Sequence, residues 1–385
     1  MEIEIGKGKS ARRAYGFDEV AIVPSRRTRD PDDVDVSWEI DAWTFGLPMM
    51  AAAMDGVVSP ATAIEVGRLG GLAVLNLEGL QTRYEEPDTV LDEVANLPPE
   101  KATRRMQELY QEPIKEELIV RRIREVKEAG VVTAASLTPQ RVAAYAPRVL
   151  EAELDILVVQ GTVVSAEHVS TRTEPLNLKE FIATFDLPVI VGGCASYQTA
   201  LHLMRTGAVG VLVGVGPGAA CTTRGVLGIG VPQATAIADA AGARMEHLRE
   251  TGRYVHVIAD GGMRTGGDVA KAIACGADAV MIGSPLAKAY EAPGRGYHWG
   301  MATFHADLPR GARVQTKQIG SLEEILVGPA HENDGTLNLF GALRTSMATT
   351  GYANVREFQK AEVIIAPAIK TEGKTEQRAQ HVGMG

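Results

Sequence analysis

One stretch of the chain concentrates the residue types that chemistry needs. Val213–Gln233 reads VGVGPGAACTTRGVLGIGVPQ. Gly214, Gly216 and Gly218 let backbone amides and carbonyls approach a ligand closely. Cys221 follows at once, with Thr222, Thr223 and Arg224 behind it. A free thiol ionises near pH ~8.5, so a nucleophilic cysteine needs help from neighbouring N–H groups or a cation. The loop amides and Arg224 are the candidates. A cysteine taken alone is more often a small buried apolar residue, but this one stands on a glycine loop that a substrate can reach. A second stretch, Val257–Ser284, reads VIADGGMRTGGDVAKAIACGADAVMIGS. Asp260 there could accept two hydrogen bonds from a ribose diol. Gly262, and then Gly283 with Ser284, form turns of the kind whose backbone N–H groups hold a phosphate. One such turn is ordinary; two flanking a carboxylate point to a nucleotide. A third stretch, AAAMDG at Ala51–Gly56, offers Met54. Its polarisable sulfur could lie on a flat purine or simply fill the core.

To converge, these residues need a scaffold that gathers distant strand ends. Short apolar runs centre on Pro48–Ala52, Leu72–Leu75, Val131–Ala135, Ile156–Val159, Val189–Val191, Val209–Val213, Val255–Ala259 and Ala279–Ile282. They lack polar alternation, as strands buried on both faces do. Amphipathic stretches such as Ser196–Thr206 and Gly266–Ala274 lie between them. Eight strand–helix units predict a closed (β/α)8 TIM barrel, whose active site lies at the C-terminal ends of the strands. The 385 residues are read as one such domain. Residues 81–125 are charged and helix-forming, and are read as a helical insertion after the second strand, mostly a solvated face. The polar tail 368–385 is read as mobile.

Composition narrows the function. Hydrophobic residues make up 45% and charged residues 23%, ordinary for a globular protein, and the net charge is −9. That charge, with aromatics at 5%, argues against a nucleic-acid or anionic-membrane partner. A single phosphate is still accessible to local N–H groups. Cys194, Cys221 and Cys275 form no CxxC pair, which argues against a zinc site or a disulfide scaffold and suits a reducing cytoplasm. No secretory or membrane-spanning apolar run is visible.

The loop GPGAACTTR resembles the catalytic cysteine loop of the IMP dehydrogenase/GMP reductase family, and ADGGMRTGGDVAKAIACGADAVMIGS resembles that family's ribose- and phosphate-binding segment. FDEVAIVPS at Phe17–Ser25, AAAMDG, YHWGM at Tyr297–Met301 and GALRTSMATTGYANVREFQKAEVI extend the likeness from about Tyr15 to Pro367. The resemblance implies that Cys221 attacks C2 of a purine nucleotide, with Thr223 relaying a proton. It implies that Asp260 holds the ribose and that Gly262, Gly283 and Ser284 hold the 5′-phosphate. Met54, Tyr297, Gly300 and Met301 would seat the nucleotide. The carbonyls of Gly216, Gly218 and Cys221 would bind potassium. A homotetramer or octamer and a place in purine salvage are also implied.

Two activities share this scaffold. Dehydrogenases oxidise IMP to XMP with NAD, usually carry paired CBS modules after the second strand, and use an Arg-Tyr flap to activate water. Reductases convert GMP to IMP and ammonia with NADPH. Here residues 81–125 are too short for a CBS pair, and no Arg-Tyr dipeptide follows Met301. The chain resembles the compact bacterial branch without CBS domains, and its reading is a GMP reductase using NADPH. The alternatives are an IMP dehydrogenase using NAD, with Arg310 or Arg313 activating water, or a non-catalytic IMP/GMP sensor. Several positions depart from the family pattern. Leu77 and Glu78 stand near a reductase Lys, and Arg310 near a Glu. Gln160 replaces the Asp, and Gly193 the Asn, that face the cofactor. Ala219 replaces a phosphate-binding Ser.

Overall fold

The eight apolar runs become eight strands. They are β1 (Met49–Ala51), β2 (Leu72–Asn76), β3 (Ala134–Leu137), β4 (Ile156–Gln160), β5 (Val189–Cys194), β6 (Gly210–Val213), β7 (His256–Asp260) and β8 (Ala279–Ile282). Each pairs in parallel with its sequence neighbours, and β8 pairs with β1 to close the barrel. The computed structural model describes residues 2–169, 171, 175–300, 313–367, 374–380 and 382. Within them, no helix is long and apolar enough to cross a membrane. Met301 and Arg310 lie outside the described residues, as does most of the tail, of which the short helix Thr375–Ala379 is described.

Helices follow the strands, and local capping fixes their starts. Ser59, Ser196 and Thr265 side chains accept the Thr62, Thr199 and Asp268 amides at the heads of α1 (Pro60–Arg68), α6 (Tyr197–Met204) and α7 (Gly266–Ala274). Such caps satisfy N–H groups that a helix leaves open. Between β2 and β3 run α2 (Pro87–Asn96), α3 (Pro99–Leu109) and α4 (Glu116–Glu128). α4 packs against α1 and α5 (Val142–Glu151), in the ring that surrounds the barrel. α2 and α3 are additional to that ring, and they are more than a solvated face. Their apolar stripe, including Val90, Leu91, Val94, Met106 and Leu109, is buried around Trp299.

The strands are apolar on both faces because both faces are buried. Met50, Val74, Val158, Ile190, Leu212, Ile258 and Met281 fill the barrel interior, while Leu75, Val159, Val191, Val213 and Ile282 meet the helices. A hairpin, Trp38–Ile40 with Trp43–Phe45, plugs the N-terminal end of the barrel. Trp38 stacks on Phe45 at 5.5 Å, and its Nε1–H donates to His256 Nδ1 at 3.2 Å. β3 begins three residues later than the sequence pattern suggests. Thr133 is drawn out of the strand because its amide and hydroxyl both donate to Asp155 Oδ2 at 2.8 Å.

The N-terminal rim also holds a buried ion pair. Arg244 Nη1 lies 2.7 Å from Asp278 Oδ2, and both side chains are nearly inaccessible. Tyr254 Oη, Val257 N and Gln359 Nε2 also donate to Asp278. Asp278→Ala would leave the Arg244 cation uncompensated, a loss of about 3–5 kcal/mol. Denaturant unfolding should therefore show a lowered midpoint for this variant. Arg244→Met with Asp278→Leu should recover much of the loss, because it removes both charges.

Candidate functional site

The C-terminal rim opens into a cavity of about 850 Å³. Its size suits a small ligand with several polar groups. Residues from the ends of β1, β2, β3, β4, β6, β7 and β8 line it, including Met54, Asn76, Ser136, Gln160, Cys221, Asp260 and Ser284.

The loop after β6 carries Cys221 to the cavity. Gly214 is obligatory there, since a Cβ would meet the Asp260 carbonyl at 2.1 Å. Arg224 pins the loop's shape by donating to Val215 O and Val231 O, so its charge is spent partly on the backbone. Cys221 is exposed, and its Sγ donates to Thr223 Oγ1 at 3.2 Å. The other two thiols are of a different kind. Burial pushes Cys194 up to about 12 and Cys275 up to about 11, so neither supplies thiolate at neutral pH.

Across the cavity lie Asp260, Gly262, Gly283 and Ser284. The amides of Gly262, Gly283 and Ser284 donate to no acceptor among the described residues. Buried or half-buried N–H groups left open in this way mark where an anion would complete the bonding. Gly283 also makes room for Met54, whose Sδ would lie 2.8 Å from a Cβ at that position. The Asn76 Nδ2 and Gln233 Oε1 atoms, on residues that line the same cavity, likewise have no partner among the described residues.

Four sequence-derived positions behave differently from expectation. Gly193 does not line the cavity. Its amide donates to Gly161 O and its carbonyl accepts from Val164 N, so its N–H has no hydrogen left for a cofactor. Gln160 does line it, but its Nε2 donates to Asp260 Oδ2 at 3.3 Å. Tyr297 is turned away: its ring lies 3.9 Å under the Arg313 guanidinium and packs beside the α2–α3 cluster. Extended backbone sends successive side chains to opposite sides, so His298 faces the cavity instead. Arg313 is itself committed to the Val94, Ala95 and Leu97 carbonyls at the end of α2, away from the cavity, which removes it as a water activator. Gly216, Gly218 and Gly300 do line the cavity.

His298, Asn76, Ser136, Thr138 and Gln233 were not singled out from sequence. His298 stands between two recognisable residues, and only its neighbour's anchoring reveals its role. Trp299 is fully buried, and its Nε1–H donates to the Tyr110 hydroxyl at 2.8 Å. Tyr110 in turn donates to Asp55, beside Met54. The α2–α3 helices thus fix one wall of the cavity.

Asp260 closes β7 at the cavity floor. Desolvation by the surrounding strand ends pushes its carboxyl up to about 7, with Gln160 opposing. The ordinary value is about 3.9. A raised folded-state value favours the neutral acid in the fold, so this contribution is complete below about pH 4 and is lost as pH rises through about 7. Asp260→Asn should therefore gain stability relative to the parent on going from about pH 4 to about pH 8. Urea unfolding of the ligand-free proteins across that range should show the gap; an unchanging gap would contradict it.

A model of the IMP dehydrogenase / GMP reductase domain matches residues 14–379. An uncharacterized oxidoreductase of Mycolicibacterium smegmatis is 51% identical over 372 residues, covering 94% of this chain and 99% of the relative. The inosine-5′-monophosphate dehydrogenase of Methanocaldococcus jannaschii is 28% identical over 477 residues, covering 94% and 95%. The crystal structure of an IMP dehydrogenase/GMP reductase-like protein from Corynebacterium glutamicum superposes with a TM-score of 0.89 at 47% identity, covering 94% of this chain and 97% of that one. With a closed barrel, an exposed cysteine on its C-terminal rim and a match spanning nearly the whole chain, the protein belongs to the IMP dehydrogenase/GMP reductase family and is an oxidoreductase acting on a purine nucleotide.

Proposed function

We propose that Cys221 adds to C2 of a purine 5′-mononucleotide and that hydride is exchanged at that carbon. One observation carries the reading: the exposed Cys221 Sγ, hydrogen-bonded to Thr223, shares a cavity with Asp260 and the open amides of Gly262, Gly283 and Ser284. Asp260 would take the ribose diol, the three amides the 5′-phosphate, and Met54 and Gly300 the base. Met301 is a proposed seat for the base on sequence grounds alone. The thiol proton has its first acceptor in Thr223, which makes Thr223 the proposed relay.

A nicotinamide cofactor, when bound, supplies or accepts the hydride. Asn76, Glu78, Ser136 and Thr138 offer it a polar wall beside Gln160, and the open Asn76 Nδ2 fits a carboxamide oxygen. The Gly216, Gly218 and Cys221 carbonyls have the donor chemistry that potassium takes, and Gly218 already accepts the Cys221 amide at 3.0 Å with one lone pair to spare. A homotetramer or octamer, a cytoplasmic setting and a place in purine salvage complete the proposal.

The direction supported by named relatives is oxidation of IMP to XMP with NAD, since those carrying an activity in their names are IMP dehydrogenases. A second reading, reduction of GMP to IMP and ammonia with NADPH, is favoured by a specific feature of the chain. The sequence ATFHADLPRGAR after Met301 holds no Arg-Tyr pair, and Arg313 is occupied elsewhere. Without an activated water, a covalent adduct is better suited to accept hydride.

Absorbance of reduced nicotinamide distinguishes these readings. IMP with NAD should raise it if the dehydrogenase reading holds; GMP with NADPH should lower it, with ammonia released, if the reductase reading holds. Cys221→Ala should reduce either rate by at least ~1,000-fold while nucleotide binding persists. Turnover surviving in that variant would remove Cys221 as nucleophile, and silence of the parent protein in both assays would leave a nucleotide sensor.

A further inference from the structure

We propose that His298 is a positioning residue for the nucleotide's 5′-phosphate, acting through Ser284. The inference rests on the reading of Gly262, Gly283 and Ser284 as the phosphate site.

His298 Nε2 lies 2.8 Å from Ser284 Oγ. The imidazole is fully enclosed by protein on every side but the cavity, and its Nδ1 has no partner among the described residues. Burial, and secondarily the charge of Lys288, holds the ring below the usual histidine range and therefore neutral. A neutral ring carries one N–H, on either nitrogen. On Nδ1, that hydrogen would be a buried donor without an acceptor, which is the rarer and costlier orphan. On Nε2, it donates to Ser284 Oγ. The structure therefore favours the Nε2–H form.

That choice decides what Ser284 offers the ligand. A hydroxyl has one hydrogen and two acceptor lone pairs. If Ser284 donated to the imidazole, its lone pairs would face an incoming phosphate and repel it. With His298 donating, the Ser284 hydrogen is free to turn into the cavity, beside the open amides of Gly262, Gly283 and Ser284 itself. The ring cannot easily swing to another arrangement. His298 pairs with Val314 in a two-stranded ribbon, and its neighbour Trp299 is locked to Tyr110.

Calorimetric binding of IMP and of inosine, which lacks the phosphate, tests this. Four proteins are compared: the parent, Ser284→Ala, His298→Leu and His298→Gln. The parent should prefer IMP. His298→Leu should lose up to about tenfold of that preference, the scale of one hydrogen bond to a charged group, because the Ser284 hydroxyl is no longer held with its hydrogen toward the phosphate, with inosine binding unchanged. His298→Gln should restore most of the preference, because its amide N–H can donate to Ser284. Ser284→Ala combined with His298→Leu should be no worse than Ser284→Ala alone.

If Ser284→Ala loses the preference and His298→Leu keeps it, the inference is wrong while the phosphate site stands. Equal loss of IMP and inosine in His298→Leu would reduce His298 to a packing role and also overturns it. If Ser284→Ala keeps the full preference, the Ser284 hydroxyl does not hold the phosphate and the inference falls; a parent protein that binds IMP no better than inosine would show the phosphate site itself to be misassigned.

Discussion

Every residue of the site hangs from one ring of backbone hydrogen bonds. β1 pairs with both β2 and β8, so the sheet has no edge, and all eight strands run in the same direction. Two consequences follow. The C-terminal end of each strand opens on a single rim, where loops are free to carry chemistry without disturbing the ladder. The N-terminal rim is free to specialise in stability, and it does so with the Trp38–Phe45 plug and the Asp278 network. Residues separated by more than two hundred positions, such as Met54 and Ser284, meet only because the ring closes between β8 and β1.

Environment, more than residue type, selects which cysteine can react. Cys194 ends β5 inside the barrel wall and donates to Leu212 O, and Cys275 closes α7 against the core. Both thiols are held protonated by burial. Cys221 differs only in being carried outward by a loop whose glycines let the chain pass close to β7. The same low-dielectric surroundings act on Asp260, raising its carboxyl toward neutrality, and on His298, lowering its imidazole toward the uncharged form. Both groups are thus biased toward their uncharged forms at the cavity wall.

The half of the cavity facing β2, β3 and β4 is lined by polar side chains on strand ends and loops. Gln160 turns to Asp260 and Gly193 gives both its backbone groups to the β4–β5 connection. Asn76, Ser136, Thr138 and Glu78 line the cavity as well, and Glu78 Oε1 accepts the Thr138 amide at 2.6 Å. Substitutions there are compatible with an intact barrel because they fall on strand ends and loops, which the ladder does not constrain. The α2–α3 helices serve the same rim from outside, by clamping Trp299 and through it the segment that bears His298.

The barrel is legible in the sequence alone. Its strands are buried on both faces, so each appears as a bare apolar run, and eight such runs separated by helices leave few architectures. The cysteine loop and the Asp260, Gly262, Gly283 and Ser284 cluster that the fold brings to one cavity are legible there too, because glycine spacing and a reactive side chain are local signals. What the sequence did not contain was which neighbour faces the cavity. Tyr297 and His298 are adjacent, and a strand turns one in and the other out according to pairing with Val314–Gln315, a partner the sequence does not name. Likewise Gly193, Gln160 and Arg313 were read from their places in motifs, but their hydrogen-bonding groups are spent on partners far along the chain or across a turn. Hydrogen-bond allegiance and side-chain facing are settled by packing between distant segments, and they emerge only once the chain is folded.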